Sequence, residues 1–174
     1  MKLLIIQTSP EHTASTLLVN SIHGLIPELF DKKIIGLWCD NFENYFKNII
    51  VVKNHNANID ELIKKYSSDY KLVFICSERK EKNYLIHEKY KTYDNVVVFD
   101  FNELNETSDN TLVQIVDNIY IKVKNILPDI DLDTTKCIDR IKLMNIRYDE
   151  IKHKSFDYID DFFEIHGSHR NRKK

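Results

Sequence analysis

The fold is decided by residues 2–18, which read KLLIIQTSPEHTASTLL. Residues 2–8 form an apolar run without helical spacing, which is typical of a strand buried on both faces. Residues 9–16 are rich in side chains that favour turns and helix caps, and leucine and isoleucine then recur at helical intervals from Leu17 to Leu29. This stretch therefore predicts a strand, a polar loop and a helix.

The same alternation continues along the chain. Further strands are predicted at 33–38, 49–53, 71–76 and 95–101, and further helices at 59–66, 77–91, 110–127, 134–152 and 155–163. Strands that alternate with helices form right-handed crossovers, so we predict a three-layer α/β/α fold around a mainly parallel sheet. Because ligands bind at the carboxyl ends of the strands in such sheets, function is expected in the loops that follow them.

Length and composition indicate one globular domain. The chain has 174 residues, a hydrophobic content of 43% and a formal net charge of -2, so we expect a single domain over 1–174 with a basic tail at 166–174. No apolar run approaches the roughly 20 residues of a membrane span, and the charge balance argues against a duplex-DNA binder. The cysteines, Cys39, Cys76 and Cys137, suit neither a disulfide framework nor a zinc ribbon. We therefore expect a cytoplasmic protein without nucleic-acid or membrane partners.

The loop at 9–16 has the features of an anion site. A loop that leads into a helix offers free backbone N–H groups and the positive end of the helix dipole. Thr13, Ser15 and Thr16 add hydroxyl groups. A Walker A loop is excluded, because its glycines are absent and Ser15 stands in place of its lysine. The structural alternative is a helix with ordinary Ser or Thr capping.

Residues 12–16, His-Thr-Ala-Ser-Thr, resemble the phosphate-binding loop of the sulfotransferases that use 3'-phosphoadenosine-5'-phosphosulfate, or PAPS. In that family a basic residue, Ser or Thr, a glycine and two hydroxyl residues follow the first strand. Here a histidine replaces the usual Lys or Arg, and an alanine replaces the glycine. The resemblance implies that the 5'-phosphosulfate is bound by His12, Thr13, Ala14, Ser15 and Thr16.

A second segment, Lys53-Asn54-His55, is similar to the Lys-Thr-His at the end of a strand in cytosolic sulfotransferases. The resemblance implies that His55 removes the proton of the acceptor hydroxyl and that Lys53 stabilises charge beside the transferring group. Histidine titrates near neutrality, and residues i and i+2 of a strand point the same way, so the two side chains can converge. The alternative is a solvated Lys and His in an Asn-rich loop.

Two further segments resemble the parts of this family that bind the 3'-phosphate. One is the strand 71–76 with the residues after it, where Ser77 and Arg79 are the implied phosphate contacts. The other is the basic tail, where Arg170 and Arg172 are the candidates for bidentate contacts. A charged surface helix and a solvated terminus are the structural alternatives. No metal site is expected, because the acidic clusters lack the spacing and glycine of a calcium loop and the pair His166 and His169 has no third ligand nearby.

The resemblance as a whole implies a P-loop-like sulfotransferase fold. The implied reaction transfers a sulfuryl group from PAPS to a hydroxyl or amine of a small molecule or glycan, without a metal. Two alternatives stay open: a catalytically silent module that binds the spent nucleotide, and a small P-loop nucleotide kinase, which needs a lysine at position 15. The chain is shorter than typical family members, so a partner subunit in a homo-oligomer or a large polymeric acceptor is expected to complete the acceptor pocket.

Overall fold

The described part of the chain is built around a parallel sheet. A computed structural model describes residues 2–36, 48–106, 110–154 and 159–166. The strands of the sheet are β1 (Lys2–Ser9), β2 (Ile35–Gly36), β3 (Ile49–His55), β4 (Tyr70–Glu78) and β5 (Val96–Asp100). The helices are α1 (Ser15–Leu25), α2 (Ile59–Tyr66), α3 (Leu112–Ile126) and α4 (Thr134–Ile151), and a hairpin pairs β6 (Ile159–Asp160) with β7 (Ile165–His166). The strand order in the sheet is β2-β3-β1-β4-β5.

Helices cover both faces of the sheet, which confirms the predicted three-layer α/β/α fold. Successive side chains of a strand point to opposite faces. Leu3 and Ile5 of β1 pack in the core formed with α1, α3 and α4, whereas Leu4 and Ile6 pack in the core that contains α2. Among the described helices, none is long and apolar enough to cross a membrane.

The connections of the sheet diverge between β1 and β4. These two strands are neighbours, but the chain leaves β1 toward β2 on one side and leaves β4 toward β5 on the other. In open parallel sheets, the crevice at such a switch point is where ligands bind. The loops after β1 and β4 therefore mark the candidate site.

The start of α1 differs from the starts of the other helices. Thr111 and Gln114 form a reciprocal capping box at α3, Asn58 caps α2 and Asp133 caps α4. At α1 the capping position is Ala14, which is left-handed and makes no side-chain cap hydrogen bond. The alternative of an ordinary Ser or Thr cap is therefore wrong at this helix.

Two of the predicted helices are wrong in the described residues. Within 77–91, β4 continues to Glu78 because Ser77 and Glu78 pair with β5, and short 3-10 turns follow at 80–82 and 88–92. Within 155–163, the described residues belong to the β6–β7 hairpin. The strand residues in both segments depend on pairing with another strand, which the local charge and periodicity of the sequence do not indicate.

Cys76 and Cys137 are structural thiols. Both side chains are fully buried, and burial raises the pKa of each to about 12. Thiols with so high a pKa are unreactive at neutral pH. The expected buried thiol at Cys76 is confirmed, while Cys39 lies outside the described residues.

Candidate functional site

The loop between β1 and α1 has a strained backbone. His12 and Ala14 are both left-handed, with φ of 63° and 64°, and Thr13 between them is not. Such a conformation costs a residue other than glycine about 1 kcal/mol or more. Alternation of left-handed and right-handed residues turns successive amide N–H groups toward one concave side, which is a geometry that binds anions.

The amide groups of this loop are available to a ligand. Among the residues that the structure describes, none accepts a hydrogen bond from the backbone N–H of His12, Thr13, Ala14 or Ser15. We call these N–H groups the amide nest. They lie at the start of α1, where the helix dipole also favours negative charge.

A network of buried hydroxyl groups holds the loop on the sheet. Ser9 Oγ accepts hydrogen bonds from Gln7 Nε2 at 2.7 Å and from the Ser77 N–H at 2.8 Å. The Ser77 hydroxyl lies 2.9 Å from Ser9 Oγ and 3.0 Å from Thr13 Oγ1. Thr13 Oγ1 in turn donates to the Pro10 carbonyl at 2.8 Å. The end of β4 therefore positions the β1–α1 loop through side chains.

Replacing Ser9 with alanine is expected to lower the free energy of unfolding by about 2 kcal/mol. The substitution leaves the buried N–H of Ser77 and the amide of Gln7 without their acceptor. Urea denaturation measures the loss, and Ser68→Ala at an exposed position is the matched control. Equal stability of the two variants would contradict the structural role of the network.

Lys53 of β3 reaches the first turn of α1. Its side chain is only 4% exposed, and Nζ donates a hydrogen bond to Thr16 Oγ1 at 3.0 Å. A buried ammonium group beside the positive end of a helix is unfavourable unless negative charge compensates it. Lys53 therefore places a second source of positive potential next to the amide nest.

His55 follows on the same side of β3 and lies against the loop. Its Nδ1 is 3.3 Å from the Ser9 carbonyl oxygen, which can only accept, so Nδ1 carries the hydrogen and Nε2 is the basic nitrogen of the neutral ring. Burial lowers the pKa of His55 below 6.5, and Lys53 lowers it further, against the Ser9 contact, which raises it. The ring is therefore a neutral base at physiological pH.

The remaining predicted loop residues have different surroundings. The His12 side chain is exposed, 3.9 Å from a Glu11 carboxylate oxygen, with its ring centroid 6.5 Å from that of Tyr84. Ala14, Ser15 and Thr16 are nearly buried at the start of α1. In the described structure, these positions therefore contribute to the site chiefly through backbone N–H groups and the Thr16 hydroxyl.

The predicted 3'-phosphate contacts are less favourably placed. Ser77 is fully buried beneath the loop, and its N–H and hydroxyl already bond to Ser9 and Thr13, so a phosphate contact requires those bonds to break. Arg79 donates from Nε to Glu81 at 2.6 Å, and its guanidinium lies 4.1 Å from the centroid of the Phe101 ring. Arg170 and Arg172 lie outside the described residues.

Sequence reasoning missed Glu164, which lies in the turn between β6 and β7. This side chain is half-buried, and burial raises the pKa of its carboxyl group, while the charge of Lys53 lowers it and Asp161 raises it. Its backbone is left-handed, with φ of 49°. No local signal could have linked Glu164 to β3, because the two are far apart in the chain.

Cavities flank the loop on both faces of the sheet. One of about 240 Å³ adjoins Ala14. It is lined by apolar side chains of α1, α3, α4 and the segment after β5, and by the polar residues Asn105, Glu106 and Asn145. Another of about 190 Å³ lies between Ser9, Asn56 and Tyr90. Each is smaller than the cavities that enclose drug-sized ligands, so each suits a single ring or a short chain.

No protein-family model matches this sequence, and none of the curated proteins matches it either. Within the described ranges, no group of three or more His, Cys, Asp or Glu side chains is arranged to hold a metal ion. The groups that meet at the candidate site are the amide nest, Lys53 and His55.

Proposed function

We propose that the protein is a sulfotransferase that moves a sulfuryl group from PAPS to a hydroxyl or amine of a small molecule or glycan. One observation carries the proposal: β3 brings Lys53 to Thr16 in the first turn of α1 and His55 to the Ser9 carbonyl, where the loop that carries the amide nest begins. An anion site with a neutral base beside it is the arrangement that group transfer from a charged donor requires.

The residues present fit the phosphosulfate group of the donor. The N–H groups of the nest supply fixed donors, and Lys53, which donates to the Thr16 hydroxyl in the first turn of α1, supplies a buried cation. The cavity beside Ala14, which has both apolar and polar lining, offers space for a ring attached to the bound phosphate. These features support binding of a nucleotide with the charge on the nest and the ring in the cavity.

In the proposed mechanism, His55 and Lys53 act on opposite sides of the transferring group. Nε2 of His55 takes the proton from the acceptor group, and the oxygen or nitrogen of that group forms the new bond to sulfur. Lys53 and the nest stabilise the charge that develops on the phosphate oxygen as the old bond between sulfur and oxygen breaks. The Ser9 carbonyl keeps the histidine ring in the required tautomer.

The experiment that tests this function has a binding step and a turnover step. Thermal shifts with 3',5'-adenosine bisphosphate and with ATP plus magnesium compare the nucleotides, and labelled PAPS with phenols, amines and glycans then tests transfer. We expect stabilisation by the bisphosphate and transfer of label. Stabilisation without transfer favours a silent nucleotide-binding module, and stabilisation by ATP plus magnesium alone favours a nucleotide kinase.

Replacing Lys53 with methionine is expected to weaken binding of 3',5'-adenosine bisphosphate by about thirtyfold, because a charge-assisted contact is lost. Methionine fills the buried space without a charge, so the fold is retained. Isothermal titration calorimetry measures the dissociation constant. The control is Lys71→Met, which removes an equal charge from an exposed position near the other end of the sheet. If both variants lose affinity equally, Lys53 is not part of the anion site.

A further inference from the structure

The connection between β4 and β5, residues 79–95, packs against the α2 side of the sheet. It begins with a turn in which Arg79 and Tyr84 exchange two backbone hydrogen bonds, at 2.8 Å and 3.1 Å. Its later part is fastened to α2, because the Tyr93 hydroxyl donates to the Asp60 carboxylate at 2.9 Å. The residues between these two anchors lie beside the end of β1, with a cavity between them.

This cavity of about 190 Å³ has mainly apolar walls. Ile59 and Ile86 are buried residues of its lining, and Tyr90 contributes an aromatic side chain. Leu85 also lines it and is 47% exposed, so this side chain has surface left with which to cover a ligand. The remaining apolar residues of the lining are Pro10 and Ala57. Walls of this kind around a cavity of this size suit one apolar ring.

The polar residues of the lining are few and partly engaged. They are Thr8, Ser9, Asn56 and His87. Thr8 Oγ1 already accepts the Ala57 N–H at 3.0 Å. Nδ1 of His87 accepts the Lys89 N–H at 3.3 Å. A sugar ring carries hydroxyl groups on most of its carbons, and those against the apolar walls would lose their hydrogen bonds to water. The lining therefore favours a ring with one hydroxyl group over a sugar.

The cavity adjoins the proposed base. Ser9 lines it, and the Ser9 carbonyl oxygen lies 3.3 Å from Nδ1 of His55. Asn56, which follows His55 in the chain, also lines the cavity, and its N–H donates to the same carbonyl at 3.2 Å. The cavity beside Ala14 lies on the other face of the sheet, so a ring bound there leaves this cavity free. Two contacts to one carbonyl thus join the base to the wall of the cavity.

We propose that this cavity is the acceptor site and that the acceptor is a phenol or another hydroxyl compound built on a single apolar ring, rather than a glycan. The inference rests on the proposed function for the transfer step, whereas binding of the ring depends on the cavity alone. In that step, the acceptor oxygen bonds to sulfur and its proton passes to Nε2 of His55. The bond between sulfur and the phosphate oxygen breaks, and 3',5'-adenosine bisphosphate leaves.

The first test is an NMR titration of the full chain with 4-methylphenol, and with methyl glucoside as a sugar ring, in the presence and absence of 3',5'-adenosine bisphosphate. We expect 4-methylphenol to bind and the glucoside not to bind. Leu85→Ala should weaken 4-methylphenol binding about fivefold, because apolar contact area is lost. The matched control is Leu143→Ala on α4, which removes a leucine that is 44% exposed and does not line the cavity. It should bind like the wild type.

A second pair of variants tests the aromatic wall. Tyr90→Leu removes the ring, and we expect it also to weaken 4-methylphenol binding about fivefold. Tyr90→Phe keeps the ring and loses only the contact of its hydroxyl with Asn58 Oδ1, at 3.3 Å, so it should retain the wild-type affinity.

The outcomes separate the acceptor site from the proposed function. Binding of 4-methylphenol that weakens in Leu85→Ala and Tyr90→Leu, without transfer of label from PAPS, supports the site and rejects the sulfotransferase. Transfer to a glycan, without binding of 4-methylphenol, supports the sulfotransferase and overturns the inference. Equal affinity of all four variants overturns it as well, because the phenol then binds elsewhere.

Discussion

Replacing His55 with alanine is expected to lower kcat for the proposed sulfuryl transfer by about a thousandfold, because the proposed general base is removed. Binding of the spent nucleotide should remain close to that of the wild type, since in the proposed mechanism the nest and Lys53 hold its phosphate. Transfer assays with saturating donor measure the rate, and calorimetry with 3',5'-adenosine bisphosphate measures the binding.

The pH profile provides an independent readout of the same residue. Burial and Lys53 keep the pKa of His55 below 6.5, so the ring loses its proton at a lower pH than an unperturbed histidine. The value of kcat/KM in the wild type should rise with pH through this pKa and then level off. This decrease of kcat/KM at low pH, the acidic limb of the profile, should be absent from the residual activity of His55→Ala.

The matched control is His153→Ala, which removes an exposed histidine just after α4. It should retain the wild-type rate and the acidic limb. Turnover that survives the loss of His55 would show that another group accepts the proton, and the assigned mechanism would then be wrong.

Gly24→Ala is expected to have the largest effect on stability, lowering the free energy of unfolding by about 3 kcal/mol. A Cβ at Gly24 would lie 2.6 Å from Cys137 Cα and 3.1 Å from Arg140 Cβ, so α1 and α4 have to move apart. The loss outweighs the gain in helix propensity, which is about 1 kcal/mol for this change.

Urea denaturation compares Gly24→Ala with Asn118→Ala, an exposed position on α3. The control should stay within about 0.5 kcal/mol of the wild type, because surface substitutions rarely do more. Equal stability of the two variants would mean that the close approach of α1 and α4 is not needed for folding.

The strands and long helices could be predicted because their signals are local. The apolar run of β1 and the helical spacing of α3 and α4 extend over enough residues to distinguish a strand from a helix. The segment that begins at Ser77 could not be predicted, because Ser77 and Glu78 are strand residues only through their pairing with β5. The hairpin was missed for a similar reason, since Asn20 and Arg140 hold its turn from distant helices.

The candidate site could be predicted only in part. The i and i+2 spacing placed Lys53 and His55 on one side of a strand, and the loop before α1 was expected to hold an anion. The left-handed backbone of His12 and Ala14 was not predicted, because only a few per cent of residues other than glycine adopt that conformation. The role of Ser77 beneath the loop likewise depends on its contact with Ser9.

The sequence by itself determined the alternation of strands and helices and the shared side of Lys53 and His55, because periodicity and strand geometry act between near neighbours. Only the tertiary structure decided that Lys53 bonds to Thr16 and that Asn20 joins the turn of the β6–β7 hairpin to the Thr16 carbonyl. These groups belong to segments far apart in the chain. They meet because the burial of the apolar faces of the sheet and helices sets the positions of the strand and helix ends relative to one another.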